Sequence, residues 1–260
     1  MDINELLDVM KKLRDPEQGC PWDLKQNFAS IVPYTIEEVY EVAEAIDAND
    51  MDELKLELGD LLFQVVFYSQ LAKEENAFEF SDVVEAIVTK MVRRHPHVFS
   101  DTAYQSDEEF SKAWEQSKRE EKQQSGQLVD SAIDGVSKVL PALKFAQKTQ
   151  SKAAKVGFDW EQIAPVYEKV TEELSEVREA EKNNNQTEIE DEIGDLLFSV
   201  VNLSRHLKVD AEEALRKSTG KFSQRFRKLE AQCKENNQSI DTSTEQQLLH
   251  MWDIVKQSEY

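Results

Sequence analysis

This chain of 260 residues has few groups that could crosslink it, cradle a phosphate or anchor it in a bilayer. Its two cysteines, Cys20 and Cys233, have no metal-ligand partner nearby in the sequence; they exclude a disulfide framework and fit a reducing compartment. Seven glycines include no G-x-x-x-x-G-K run, which argues against a P-loop enzyme. No apolar run approaches the roughly 20 residues that cross a membrane. The opening, Met1 to Arg14, is charged and amphipathic rather than leader-like, so a cytoplasmic location is expected. Basic residues are outnumbered, 31 Lys and Arg against 52 Asp and Glu, for a net charge of −21. That balance speaks against general binding of nucleic acid or anionic membranes. A polyphosphate could be held only through metal ions and a local basic cluster. No Ser/His/Asp or Cys/His arrangement stands out, so a side-chain nucleophile is not indicated.

Alternating strand patterns and Asn-Gly hairpin dipeptides are also missing, and the fold class is therefore all-α. Apolar spacing predicts helices over 3–13, 35–48, 52–75, 81–94, 106–122, 139–155, 165–182, 187–207, 210–231 and 244–257. Thr35 is the expected N-cap of the second helix, and Pro141 is expected in a first turn. Residues 14–34, with three prolines and Gly19, read as a structured loop in which Trp22 is better taken as a core anchor than as a base-stacking platform. His95-Pro96 ends a helix, and His95 and His97 lack helical ligand spacing, so packing or hydrogen bonding suits them better than metal. The polar stretch from Glu120 to Gly135 marks a boundary between domains 1–124 and 125–260.

What the chain has is a duplication. Glu37-Glu38-Val39-Tyr40-Glu41 is followed after a fifteen-residue gap by Glu57-Leu58-Gly59-Asp60 and the apolar run Leu61-Leu62-Phe63-Gln64-Val65-Val66. Glu172-Glu173-Leu174-Ser175-Glu176 is followed, after the same gap, by Glu192-Ile193-Gly194-Asp195 and Leu196-Leu197-Phe198-Ser199-Val200-Val201, offset by a constant 135 residues. Residues three apart on a helix are neighbours on one face. Glu173 with Glu176, and Glu192 with Asp195, thus form two carboxylate pairs at the mouth of a buried segment. Glu38, Glu41, Glu57 and Asp60 repeat them.

Like charges held at a core edge are costly unless neutralised. A hard divalent cation with oxygen ligands does this, and two such pairs on two antiparallel helices could form its platform. With so many acids in the chain, solvated helix faces are the competing explanation for either cluster alone; the repeated coupling to one apolar run favours metal. Basic residues repeat as well. Lys90-x-x-x-Arg94 matches Lys221-x-x-x-Arg225, and Trp114-x-x-x-Lys118 matches Trp252-x-x-x-Lys256. Lys221, Arg225 and Lys256 are candidate phosphate contacts, and Trp252 is a candidate base platform or core residue. Lys169 lies one turn before Glu173, while the first copy has Tyr34 there, so the C-terminal half is expected to be the main catalyst. Glu172 is a candidate general base or a supporting carboxylate.

E-E-x-x-E, a gap, then E-x-x-D resembles the signature of the MazG family. Further stretches share the resemblance: Arg14-Asp15-Pro16-Glu17-Gln18-Gly19-Cys20-Pro21-Trp22-Asp23, Arg93-Arg94-His95-Pro96-His97-Val98-Phe99 and Val156-Gly157-Phe158-Asp159-Trp160. It implies two tandem MazG-type helical units, each completing a four-helix-bundle-like core on pairing, in a homodimer. It also implies Mg²⁺-dependent hydrolysis of nucleoside triphosphates, ATP included, to monophosphate and diphosphate with broad specificity, Mn²⁺ being a possible substitute. Mg²⁺ would sit on Glu173, Glu176, Glu192 and Asp195. Glu188 departs from the resemblance, standing where a lysine is expected. Other readings are a related all-α pyrophosphohydrolase acting on dUTP or phosphoribosyl-ATP, and an acidic helical regulator that binds nucleotide or a protein without turnover.

Overall fold

A computed structural model describes residues 2–100, 102–104, 106, 109–110, 113–114, 116–117, 121, 131–235 and 239–257. Among them every regular element is helical. The chain divides into two units, Met1–Glu121 and Lys122–Tyr260.

In the first unit, α1 (Ile3–Leu13) is followed by α2 (Phe28–Ala48), α3 (Met51–Glu74), α4 (Phe80–Arg94) and the single turn α5 (Pro96–Phe99). The helix expected from Thr35 starts seven residues earlier. Asn27 and Ser30 form a reciprocal capping box that starts α2 at Phe28, and Pro33 lies inside the helix. Thr35 is therefore not a cap; its hydroxyl bonds back to the Ile31 carbonyl at 3.2 Å and meets the Tyr68 hydroxyl at 2.9 Å. Trp22 does not anchor the preceding loop either. It is 48 % exposed, edge-on to Tyr34. Arg14 fixes the loop instead, donating to the Asp23 carbonyl at 2.5 Å while its Nη2 pairs with Glu74 at 2.6 Å. Gly19 is required there, since a Cβ would lie 2.5 Å from the carbonyl oxygens of Leu13 and Asp15. Likewise α4 begins at Phe80, not Ser81, because Glu79 and Asp82 form its capping box.

The second unit holds α6 (Ala142–Ala154), α7 (Ala164–Lys182), α8 (Gln186–His206), α9 (Ala211–Glu235) and α10 (Glu245–Gln257). Pro141 precedes α6 as its N-cap rather than lying in its first turn. The helix expected over 106–122 lies partly outside the described residues, and Lys118 wholly so.

The duplication extends to the turns. Asn49 and Asn184, 135 apart, both take left-handed backbone, at φ +54° and +51°. Asp50 and Asn185, the next residues, both cap the following helix. Each pair of helices, α2 with α3 and α7 with α8, is thus reversed by a short turn into a packed antiparallel hairpin. Met10, Ile31, Val66, Phe67 and Leu71 form the core of the first unit. In the second, Leu229, Cys233, Met251 and Val255 form a core between α9 and α10. A buried Gln150 on α6 donates to the Phe198 carbonyl of α8 at 2.9 Å, joining those helices.

The hairpins leave apolar side chains uncovered at matched positions. Val39, Leu58, Leu62 and Val65 are exposed in the first unit, and so are their counterparts Leu174, Ile193, Leu197 and Val200 in the second.

Candidate active site

In the second unit, α7 supplies Glu173 and α8 supplies Glu192 and Asp195, with one carboxylate oxygen of each within 4.8 Å of the others. Glu173 is only 4 % exposed. A buried carboxylate needs a compensating charge, and Lys169, one turn earlier, pairs with it at 2.6 Å and with Glu172 at 3.1 Å. Those two carboxylates hold the Lys169 ammonium well above the ordinary lysine range. One lysine against so many acids leaves the locus electronegative. Partial burial, followed by the charges of Glu173 and Glu192, raises the Glu176 carboxyl. Glu176 is near enough to feel the cluster without joining its closest set.

A cavity of about 260 Å³ opens beside these groups, lined by Lys169, Glu173, Asp195 and Ser199 with Trp160 and Asn202. Glu172 does not line it and is exposed at the lysine's other side. Ser199 and Asn202 follow Asp195 by four and seven residues, so all three share one helix face. Their spacing was visible in the apolar run, where two polar residues at helical period stand out. Trp160 and Phe198 had no such signal beyond the Gly157-Phe158-Asp159-Trp160 stretch and the L-L-F repeat.

Lys221, Arg225, Trp252 and Lys256 are not among the residues lining this cavity. Trp252 packs against the α9–α10 core, its ring 5.2 Å from that of Phe222. Lys256 pairs with Asp253 at 2.7 Å.

The first unit repeats the cluster with different members. Glu38, Glu41 and Glu57 meet within 4.8 Å, and Asp60 stands outside that closest set. Gln64 donates to Glu38 at 3.1 Å in place of a lysine. Burial, then the charges of Asp60 and Glu41, raises the Glu38 carboxyl against the opposing effect of Gln64. Glu57 is raised too, by desolvation and by Glu41, Glu53 and Asp60. Arg94, which matches Arg225 in the repeated basic pair, is engaged by Glu121 through two hydrogen bonds. That pairing, joined by Arg93, holds Glu121 down at about 2. His95 and His97 pack among Tyr104, Phe110 and Trp114, and His95 Nδ1 lies 2.7 Å from the Met91 carbonyl oxygen.

Helical hairpins bearing acids from both arms define a class of all-α proteins with carboxylate clusters that could hold a metal ion. The family model for the MazG nucleotide pyrophosphohydrolase domain matches residues 26–99 and again 163–229. The chain belongs to the MazG family. It is 48 % identical, over 99 % of its length and 98 % of the relative's, to the nucleoside triphosphate pyrophosphohydrolase of Escherichia coli K12. It is 46 % identical to the nucleoside triphosphate pyrophosphohydrolase/pyrophosphatase MazG of Thermotoga maritima, over 98 % of this chain and 95 % of the other. A solved structure of a mazG-related protein from Thermotoga maritima is 28 % identical and covers 45 % of this chain and 98 % of its own, with a TM-score of 0.39.

Proposed function

We infer that this chain is a nucleoside triphosphate pyrophosphohydrolase, converting a nucleoside triphosphate and water to a monophosphate and diphosphate. The observation that carries this is the convergence of Glu173, Glu192 and Asp195 beside a cavity into which Lys169 also projects. The names of the full-length relatives state the same activity.

The donor set is all carboxylate oxygen, which fits Mg²⁺, or Mn²⁺ in its place, and does not suit softer metals. Glu173, Glu192 and Asp195 would hold the ion, with Glu176 completing the set. When bound, it supplies Lewis-acid polarisation of the phosphate and charge neutralisation. The remaining roles belong to the chain. Lys169 donates to phosphate oxygens, and Lys221, Arg225 and Lys256 are further candidates for the outer phosphates. Glu172, which shares Lys169 with Glu173, is a candidate either for the general base that takes a proton from the attacking water or for a supporting carboxylate. Trp252 remains a candidate base contact. The C-terminal domain, 125–260, is the main catalyst, and the Glu38, Glu41, Glu57 and Asp60 site binds metal with weak turnover or helps assembly. Specificity is broad across ribo- and deoxynucleotides, which suits nucleotide-pool control or clean-up in the cytoplasm. No helix among the described residues is long and apolar enough to cross a membrane. The exposed apolar positions matched between the hairpins support pairing of units in a homodimer.

The test is diphosphate release from a panel of NTPs and dNTPs with and without Mg²⁺. Metal-dependent release is expected from several nucleotides. Binding with no release from any of them would leave a nucleotide-binding regulator. Light scattering that returns the mass of one chain would remove the dimer.

A further inference from the structure

The cavity beside the carboxylates has a neighbour. A second space of about 390 Å³ shares Trp160, Phe198 and Asn202 with it, and extends past Thr149, Phe158 and Arg205. If the triphosphate occupies the carboxylate cavity, as the pyrophosphohydrolase reading on which this inference rests requires, the nucleoside must leave by a continuous path. The shared wall of indole, phenyl ring and amide suits a planar base.

Trp160 reaches that wall from the segment between α6 and α7, which has no helix of its own. Gly157 opens the segment in left-handed backbone at φ +89°. The segment is tied down from α8. Arg205 binds both carboxylate oxygens of Asp159, with its Nη1 at 2.8 Å from Oδ2 and its Nη2 on Oδ1. The same guanidinium donates to Asn202 Oδ1, at 3.0 Å from Nε and 2.8 Å from Nη2. His206 Nε2 lies 3.0 Å from Asp159 Oδ1, which also accepts the backbone N–H of Trp160 at 2.9 Å. Arg205 is therefore the hub joining the shared Asn202 to the residue that immediately precedes Trp160. A planar fork holding two oxygens fixes orientation as well as distance, which a lysine's point charge does not.

We propose that Arg205 is a positioning residue for the nucleoside: through Asp159 it holds Trp160 as one wall of a base slot that continues the metal cavity. It touches neither the phosphates nor the reacting atoms. Its effect falls on the affinity for the nucleoside and leaves the handling of the triphosphate intact.

The experiment is calorimetric titration of the full chain, in Mg²⁺, with an α,β-imido nucleoside triphosphate and separately with inorganic tripolyphosphate. The proteins are wild type, Arg205→Lys, Asp159→Asn, Trp160→Ala and the double variant Arg205→Lys/Trp160→Ala. Each single change is expected to weaken the nucleotide analogue about tenfold, about 1.4 kcal/mol, and leave tripolyphosphate within about twofold. The double variant is expected to bind the analogue no worse than Trp160→Ala alone, because both changes remove one wall. In turnover, KM rises while kcat holds. Unchanged analogue affinity in Arg205→Lys and Asp159→Asn overturns the proposal. So does tripolyphosphate weakened by the same factor, or strictly additive losses in the double variant. Should Arg205→Lys not fold, Asp159→Asn decides the matter by the same criteria. A wild-type chain that binds the analogue yet releases no diphosphate from any NTP sinks the enzymatic reading, while the affinities still decide the role of Arg205.

Discussion

The two hairpins carry the same carboxylates at the same spacing, yet they solve the problem of clustered charge differently. In the first, Gln64 crosses to Glu38, a neutral donor offsetting part of the cost of burial. In the second, the matching residue is Ser199, too short to cross, and Lys169 neutralises Glu173 from its own helix. One turn further along, Phe67 of the first unit is in the core beneath the Arg14 guanidinium, whereas its counterpart Asn202 borders a cavity. The first hairpin has spent its inner face on packing. The second keeps that face small and polar, with the Lys169 ammonium at its mouth. We propose that a repeated acidic pattern is insufficient for a repeated active site, and that the residues four and seven positions beyond Asp60 or Asp195 decide what the pattern can hold.

The comparison breaks most directly at the paired glutamates. Glu173→Gln should lower Mg²⁺-dependent diphosphate release by about 100-fold, the scale on which loss of a group stabilising transition-state charge is felt. Glu38→Gln should leave it within about twofold. Equal losses would make the two hairpins one catalytic device. Lys169→Met comes next. It deletes a charge-assisted donor worth about 1.5–3 kcal/mol, so kcat/KM should fall by about 10- to 100-fold. The carboxylates should keep their cation, and an unchanged rate would show that Lys169 serves only to neutralise Glu173 and Glu172.

Much of this architecture was open to reading in the chain. Helix periodicity and the 135-residue offset gave both hairpins, and the asparagines at the turns obeyed the same offset down to their backbone angles. Errors arose where a local signal was overruled or misread. Pro33 suggested a loop, but the Asn27–Ser30 capping box starts the helix upstream, and the helix continues through Pro33 at the cost of one backbone hydrogen bond. Trp22 looked like an anchor because indoles are usually buried, yet a guanidinium reaching backbone carbonyls did the anchoring. Within the site, the acids were visible because spacing encodes them. Arg205 and Asp159 were not, because 46 residues separate partners that only the packing of α8 against the segment before α7 brings together.

A smaller effect, common to both clusters, follows pH. Glu38 and Glu57 in the first unit and Glu176 in the second have carboxyls raised by the fold. The folded chain therefore binds protons more readily than the unfolded one at these sites, so their contribution to stability falls as pH rises from the ordinary carboxylate value through the raised one. A cation reverses this by favouring the charged forms. Mg²⁺ at about 100 times its dissociation constant should add about 2.7 kcal/mol, read as a higher Tm at pH 7 and little change at pH 4.

Gln64 should give the smallest effect and the sharpest test of how the first hairpin differs. Gln64→Leu removes the donor that opposes the rise in Glu38, leaving the carboxylate with the burial and the charges of Asp60 and Glu41. A lost hydrogen bond of this kind is worth about 1 kcal/mol, and partial exposure of Glu38 reduces it. The sign with pH is fixed by the chemistry. Above the folded pKa the carboxylate is charged and short of a partner, so the variant is less stable than wild type. As pH falls and Glu38 takes a proton, the difference shrinks toward zero. Denaturation at pH 7 and pH 4 checks this, and a penalty that is the same at both would mean Gln64 contributes by packing alone. Adding Mg²⁺ at pH 7 should remove most of the penalty if the first cluster holds the cation, since the ion then supplies the neutralisation that Gln64 gives in its absence.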